Sequence, residues 1–290
     1  MIVSKTPQTP AAVAAHYDDL DVFYREIWGE HVHHGYFVTG RETIPEATEN
    51  LITHLAEALD LRAGQKVVDI GCGYGATARV LADRHEVQVV GLTLSAVQLA
   101  RARAQTVRAG SRGSLSFLQQ DWLTNTLPES SFDRAYAVES SEHMPDKAAF
   151  FRQAFRVLAP GGRLGVYVWL TADAPSRWEV DHLLEPICRE GRLPGMGTEG
   201  EYRKMAEDAG FVPQVAEDIS AQVSRTWALC AQGLTRNVLT RPRYLRALLD
   251  HTQGNRIFAL TLFRLLLAYR TRAMRYCLLT YSKGSCALDR

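Results

Sequence analysis

The sequence predicts an α/β fold: a doubly wound, mostly parallel, seven-stranded sheet with a helical lid inserted between strands six and seven. Three observations predict it. Strand-like apolar runs alternate with helix-period segments from about residue 45 to residue 170, which is the pattern of βαβ units with helices on both faces. Val67 and Val68 run into Asp69 and then into a loop with glycine at every second position, Gly71, Gly73 and Gly75. Such a strand-to-helix turn lets backbone take positive φ and press against a ligand, with the free N–H groups of the following helix aimed at it. A long arginine-rich, helix-prone stretch from about Ser224 to Arg272 separates the last two strands.

The elements follow in order. A helix is expected from about Pro45 to Leu59, with Leu51, Leu55 and Leu59 on one stripe. Arg62-Ala63-Gly64-Gln65 turns the chain into strand one, Lys66–Ile70, and a helix opens at Ala76. Strand two is Gln88–Leu92. Strand three, Leu115–Gln119, ends at Gln120-Asp121-Trp122, and strand four, Asp133–Val138, ends at Glu139-Ser140-Ser141-Glu142-His143-Met144, both ends facing the ligand edge. Pro145 opens a helix striped by Phe151, Phe155 and Leu158, and Pro160-Gly161-Gly162 turns it into strand five, Arg163–Trp169. A helix over Glu199–Ala209 is capped by Gly210. Strand six begins at Phe211–Val215, and the last strand is Met274–Tyr281. The intervening insertion, next to an active-site edge, reads as a lid or substrate pocket.

Composition narrows the class. Nothing in the 290 residues suggests two independent folds, so 1–290 is read as one domain: 1–60 a cap and first helix, 61–220 the cofactor-binding core, 221–273 the lid, 274–290 the last strand and tail. Lys plus Arg (33) balances Asp plus Glu (32), which gives no reason to expect a nucleic-acid partner. Positive charge gathers locally, with ten arginines and a single acid, Asp250, between Arg225 and Arg275. That run is either a solvated helical face or an attraction to an anionic substrate or a membrane surface. The five cysteines (Cys72, Cys188, Cys230, Cys277, Cys286) form no C-x-x-C pair, which argues against disulfide and zinc frameworks. His31, His33 and His34 tempt a metal reading, but no nearby Asp or Cys completes a site, and no metal is expected. Met1–Ala15 lacks an apolar core behind a basic start, and Ile257–Tyr269 is interrupted by Arg264. A soluble, cytoplasmic protein is expected; no oligomeric state is read from the sequence.

Two cofactors compete for the glycine loop. Gly71, Gly73 and Ala76 satisfy the looser dinucleotide fingerprint, but an NAD fold wants a carboxylate at the end of strand two, where this chain has Gly91-Leu92-Thr93-Leu94-Ser95. The run Asp69-Ile70-Gly71-Cys72-Gly73-Tyr74-Gly75 resembles motif I of class I S-adenosylmethionine (SAM) methyltransferases, a Rossmann-like fold. Gly91–Ser95 followed by Gln98 is similar to the branch of cyclopropane synthases and tocopherol methyltransferases, in which Thr and Gln replace the acid at the ribose. Two further segments carry the resemblance to the γ-tocopherol methyltransferase-like branch: Tyr17-Asp18-Asp19 with Ile27-Trp28-Gly29-Glu30-His31-Val32-His33-His34-Gly35-Tyr36, an N-terminal helical cap signature, and Glu139–Lys147 after strand four.

The resemblance implies SAM as cofactor, with Asp69, Gly71 and Gly73 at its methionine portion, Thr93 and Gln98 at the ribose, and Asp121 and Trp122 at the adenine. It also implies Tyr17 and Gly35 closing over the carboxylate end, and Glu139 in contact. The expected activity is methyl transfer to a carbon, nitrogen or oxygen of a small, apolar or aromatic acceptor in specialised metabolism. Carbon methylation of an isoprenoid diphosphate is the alternative that the arginines suggest. An NAD-dependent oxidoreductase and a non-catalytic SAM-binding protein are the readings from other classes. His143, Glu139 and Glu142 are the catalytic candidates. If a proton must leave the acceptor, histidine is the side chain tuned near neutral pH, so His143 is read as the base; otherwise it orients loop backbone or packs beside the cofactor. Tyr36 and Phe37 either face the acceptor or fill core, and the Leu260–Leu267 stripe reads as lid core.

Overall fold

In the computed structural model, described at residues 1–27, 29–241 and 255–284, a seven-stranded sheet carries the chain. Its strands are β1 Lys66–Ile70, β2 Gln88–Thr93, β3 Ser114–Gln119, β4 Phe132–Val138, β5 Leu158–Thr171, β6 Phe211–Asp218 and β7 Met274–Lys283. The order is β3-β2-β1-β4-β5-β7-β6. The first five strands are parallel, whereas β7 runs antiparallel to both β5 and β6. Strand order reverses between β1 and β4, and a doubly wound sheet binds its ligand at such a switch point.

Among the described residues the α-helices of eight residues or more are α1 Pro10–Ile27, α2 Ile44–Ala58, α3 Ala76–His85, α4 Ala96–Arg103, α5 Lys147–Val157, α6 Glu199–Asp208, α7 Arg225–Thr240 and α8 Asn255–Thr271. Sequence sets their starts. Thr43 and Glu46 form a reciprocal capping box at α2, and the Asp146 carboxylate accepts the Ala149 N–H at the start of α5. Alternation along β1 sends Val67 into one apolar cluster, with Leu51, Leu55 and Leu81, and Val68 into the other, with Phe150, Phe151 and Val166. Each face of the sheet therefore has its own core.

Several boundaries differ from the sequence expectation. The Pro160-Gly161-Gly162 turn lies inside the extended segment: Leu158 already pairs with Phe132, and the ladder resumes at Arg163 opposite Arg134 after a register shift. The helix expected at Pro145 begins at Lys147, because Ser141–His143 first forms one 3₁₀ turn. β6 runs three residues beyond Val215, to Asp218. Of the segment 221–273, expected as a lid, the described residues include the helices α7 and α8, and α8 packs Leu262 and Leu265 into the core. Tyr36 and Phe37 fill space: Tyr36 stacks on His54 at 4.9 Å, and Phe37 is buried. Trp28, Arg243, Arg246, Asp250 and Cys286 lie outside the described residues. No helix among the described residues is long and apolar enough to cross a membrane.

Candidate active site

The carboxyl ends of β1, β2 and β4 converge on an open cleft bordered by Gly71, Gly73, Thr93, Gln98, Asp121, Trp122, Glu139 and His143. The glycine loop forms its floor. Gly71 has φ +82°, and a Cβ there would stand 2.4 Å from that of Ser140, so only glycine lets β1 and the β4 turn meet. Gly73, at φ +53°, has nothing within 4 Å of where its Cβ would be. Behind the loop, Asp69 is 3% exposed, and its Oδ2 has no hydrogen-bond partner. Burial pushes its pKa up to about 7, opposed in part by the Tyr136 hydroxyl. An orphaned buried carboxylate of this kind needs a cation or a strong donor beside it.

At the β2 end, the Thr93 hydroxyl donates to Gln98 Oε1 at 2.8 Å. The Ser95 hydroxyl bonds Asp18 of α1, so a carboxylate does approach this strand end, delivered by the N-terminal helix. The Asp121 side chain accepts the Leu123 N–H at 2.9 Å and caps the turn Trp122–Thr124. Trp122 is 3% exposed and its indole N–H donates to Phe150 O at 3.2 Å. The indole is thus a core residue that borders the cleft, and its polar edge is committed to α5.

A second cavity lies beyond a shared wall: Tyr17, Val32, Glu139 and His143 line both spaces. Trp169, Trp227 and Leu265 give it apolar surface, and Glu142 and Glu190 give it carboxylates. No arginine or lysine lines it among the described residues. Arg264 of the lid is paired with Glu190 at 2.6 Å, and the Thr261 hydroxyl donates to the same carboxylate at 2.5 Å, so α8 is pinned over this chamber. Arg225 lies over the Phe37 ring, and Arg236, Arg270 and Arg272 are exposed. The arginine run therefore lends the chamber no anion-binding side chain from its described members.

The three catalytic candidates separate in character. Glu139 adopts φ +52°, a left-handed conformation uncommon for a non-glycine residue. Its carboxylate accepts from His34 N (2.7 Å), His34 Nδ1 (2.9 Å), Tyr276 OH (2.9 Å) and Trp169 Nε1 (3.2 Å). Burial alone would raise its pKa, but the His34 contacts more than offset this and hold it below the usual range. Glu139 thus ties the 31–36 loop to β5 and β7. His143 does not titrate near neutrality: burial, with Lys147 adding to it, lowers its pKa to about 4. The neutral ring donates from Nδ1 to Arg192 O at 3.2 Å and accepts at Nε2 from the Tyr17 hydroxyl at 2.9 Å. Glu142 is 2% exposed and accepts the Trp169 N–H at 2.8 Å. Burial pushes it up to about 7, reinforced by Glu139 and opposed by the Trp169 N–H and Lys147. Among the three, Glu142 is the group poised to exchange a proton near pH 7.

Gly35 is a correction. It is buried away from both cavities, its N–H donates to Thr226 Oγ1 at 3.0 Å, and a Cβ would stand 2.5 Å from that of Ala47. It is glycine for packing against α2. His33 and His31 border a small space beside Asp69 with Thr77. His33 donates from Nδ1 to His34 O at 2.8 Å, and no group of three metal-ligating side chains stands together among the described residues. Nothing in the sequence marks His16, Trp169, Glu190 or Trp227 as lining this chamber. They come from four separate segments, and no local spacing marks them as neighbours.

With this geometry in view, likeness to known proteins is informative. Residues 4–239 match the family model described as mycolic acid cyclopropane synthetase. The chain is similar to 27-O-demethylrifamycin SV methyltransferase of Amycolatopsis mediterranei (strain S699), 36% identical over 78% of this chain and 83% of the relative. It is also similar to the probable chloroplastic tocopherol O-methyltransferase of Oryza sativa subsp. japonica, 32% identical over 79% of this chain and 69% of the relative. Its fold matches the crystal structure of mycolic acid cyclopropane synthase CmaA1 complexed with SAH and CTAB, with a TM-score of 0.84 at 22% identity, covering 97% of this chain and all of that one (100%).

Proposed function

Since the chain belongs to the mycolic acid cyclopropane synthetase family and is an S-adenosylmethionine-dependent methyltransferase, we propose that its acceptor is a small apolar or aromatic metabolite presenting an O–H or N–H group in the Trp169–Trp227 chamber. The observation that carries this reading is Glu142: a buried carboxyl group at the chamber wall whose pKa lies at about 7. When bound, SAM supplies an electrophilic methyl group on a sulfonium.

Asp69, Gly71 and Gly73 would hold the methionine portion, Thr93 and Gln98 the ribose, and Asp121 and the bordering Trp122 the adenine. The fit is supported by the orphaned Asp69 Oδ2, which gains a partner in an ammonium group, and by the open space over Gly73. Tyr17 closes the shared wall through His143, and the segment 1–60 then acts as a cap as 221–273 acts as a lid. Glu142 accepts the proton that the acceptor releases, while His143, neutral and bonded at both nitrogens, orients Tyr17 and the loop. Alignment and exclusion of water by the cap and lid supply the rest. The family assignment leaves no support for an NAD-dependent activity. A diphosphate acceptor finds three carboxylates, Glu139, Glu142 and Glu190, and no cation among the described chamber residues.

The test is a conversion assay, SAM to S-adenosylhomocysteine (SAH), across phenols, amines and prenyl diphosphates. Turnover with an apolar phenol or amine and none with the diphosphates is expected. Turnover confined to prenyl diphosphates would overturn the acceptor class while leaving methyl transfer intact.

A further inference from the structure

Lys147 is the first residue of α5, yet its side chain is buried, 3% exposed. A cation in the first turn of a helix opposes the macrodipole, and a buried ammonium group needs compensation. No carboxylate pairs with it among the described ion pairs. Its Nζ instead donates to two main-chain carbonyls, Glu142 O at 3.2 Å and Met144 O at 3.1 Å. Both belong to the turn that carries Glu142 and His143. A helix that places a lysine against its own dipole has broken a local rule, and such breaks gather at functional sites.

We propose that Lys147 is a positioning residue for methyl transfer: its ammonium group clamps the turn Ser141–Met144 through two carbonyls and fixes where Glu142 and His143 stand at the chamber wall. This inference rests on the reading of Glu142 as proton acceptor. The groups facing Lys147 are Glu142 and His143 from the turn and Cys188 from the helix Glu185–Glu190. Burial lowers the Lys147 pKa to about 8. Cys188 is pushed up to about 12 and His143 down to about 4, so neither changes charge between pH 6 and 9. Among these facing groups, only the Glu142 and Lys147 pair titrates within that window, as a coupled unit. Activity accordingly rises as Glu142 ionises and falls as pH passes about 8, where the clamp loses its charge.

The experiment compares wild type, Lys147→Met and Lys147→Gln in the full chain. Carbon-13 NMR of glutamate carboxyls, with Glu142→Gln for assignment, reads the turn; SAH calorimetry reads the cofactor site; turnover is followed with the acceptor found among the phenols and amines. In both variants SAH affinity stays within about threefold, the Glu142 titration moves up by about one pH unit, and kcat falls by roughly tenfold or more with loss of the alkaline limb. An unchanged Glu142 titration, or an unchanged alkaline limb, in a variant that binds SAH would overturn the proposal. Gln, which keeps an N–H donor of similar reach, decides the matter should the Met variant fail to fold. Failure of the proton-acceptor reading is seen separately, as full turnover by Glu142→Gln.

Discussion

Asp69→Ala is expected to abolish measurable SAH binding, and Asp69→Asn to weaken it by roughly 100-fold or more, the cost of removing one member of a buried, hydrogen-bonded charge pair. The reason lies in the carboxyl group's surroundings: it is buried with Oδ2 unpartnered, and burial holds its pKa up at about 7. The sign of the linked stability follows. Protonation favours the fold fully below the ordinary value of 3.8, and that advantage is lost as pH rises through about 7, leaving an ionised carboxylate that destabilises the empty protein. Asp69→Asn removes this penalty. Its melting temperature without ligand is expected to exceed that of wild type at pH 8, with the difference vanishing toward pH 4. Calorimetry in buffers of different ionisation enthalpy adds a second readout: SAH binding near pH 6.5 should release protons in wild type and not in the Asn variant. Micromolar SAH binding by Asp69→Ala would end the assignment.

Glu142→Gln is expected to lower kcat by about 10²–10⁴-fold, the range associated with loss of a positioned general base, while leaving SAH affinity unchanged. The amide is isosteric and its oxygen still accepts the Trp169 N–H, so the wall keeps its shape. Wild-type activity should climb as pH passes through about 7, where Glu142 becomes the proton-accepting carboxylate, and that ascending limb should be absent in the variant. His143→Gln serves as the contrast. Its ring is already neutral above about pH 4 and bonded at both nitrogens, so its loss disturbs Tyr17 without removing a pH limb near 7. Equal rates for wild type and Glu142→Gln would show that the acceptor loses its proton elsewhere.

The strands and the glycine loop were legible because their signals are local. Val67 and Val68 alternate into opposite cores, Gly71 needs positive φ, and Thr43-x-x-Glu46 spells its own cap. The fold class followed from those signals, as did the cofactor from the resemblance they carry. The chamber was not legible, because its character depends on partners far along the chain. The sequence names His143 as the base because histidine is tuned near neutral pH, whereas burial lowers its pKa to about 4 and raises that of Glu142, a candidate beside it, to about 7. Glu139 stood as a catalytic candidate although four donors from residues 34, 169 and 276 saturate it. Gly35 belonged to a motif, yet its constraint is the approach of Ala47. The arginine count of the lid counted charge without direction: Arg264 is consumed by Glu190, and other described members face solvent.

α1 docks through Asp18 on Ser95 and Tyr17 on His143. One helix borders the cofactor cleft with Val13 and Tyr17 and walls the neighbouring chamber with His16 and Tyr17. Any undocking of that helix would therefore widen the cleft and dismantle the wall of the chamber in the same movement. The expected steady-state mechanism is compulsory-ordered, with SAM first on and SAH last off. Product-inhibition kinetics should show SAH competitive against SAM and the methylated product noncompetitive against the acceptor, whereas a methylated product competitive against the acceptor would mean that α1 opens without disturbing its far side.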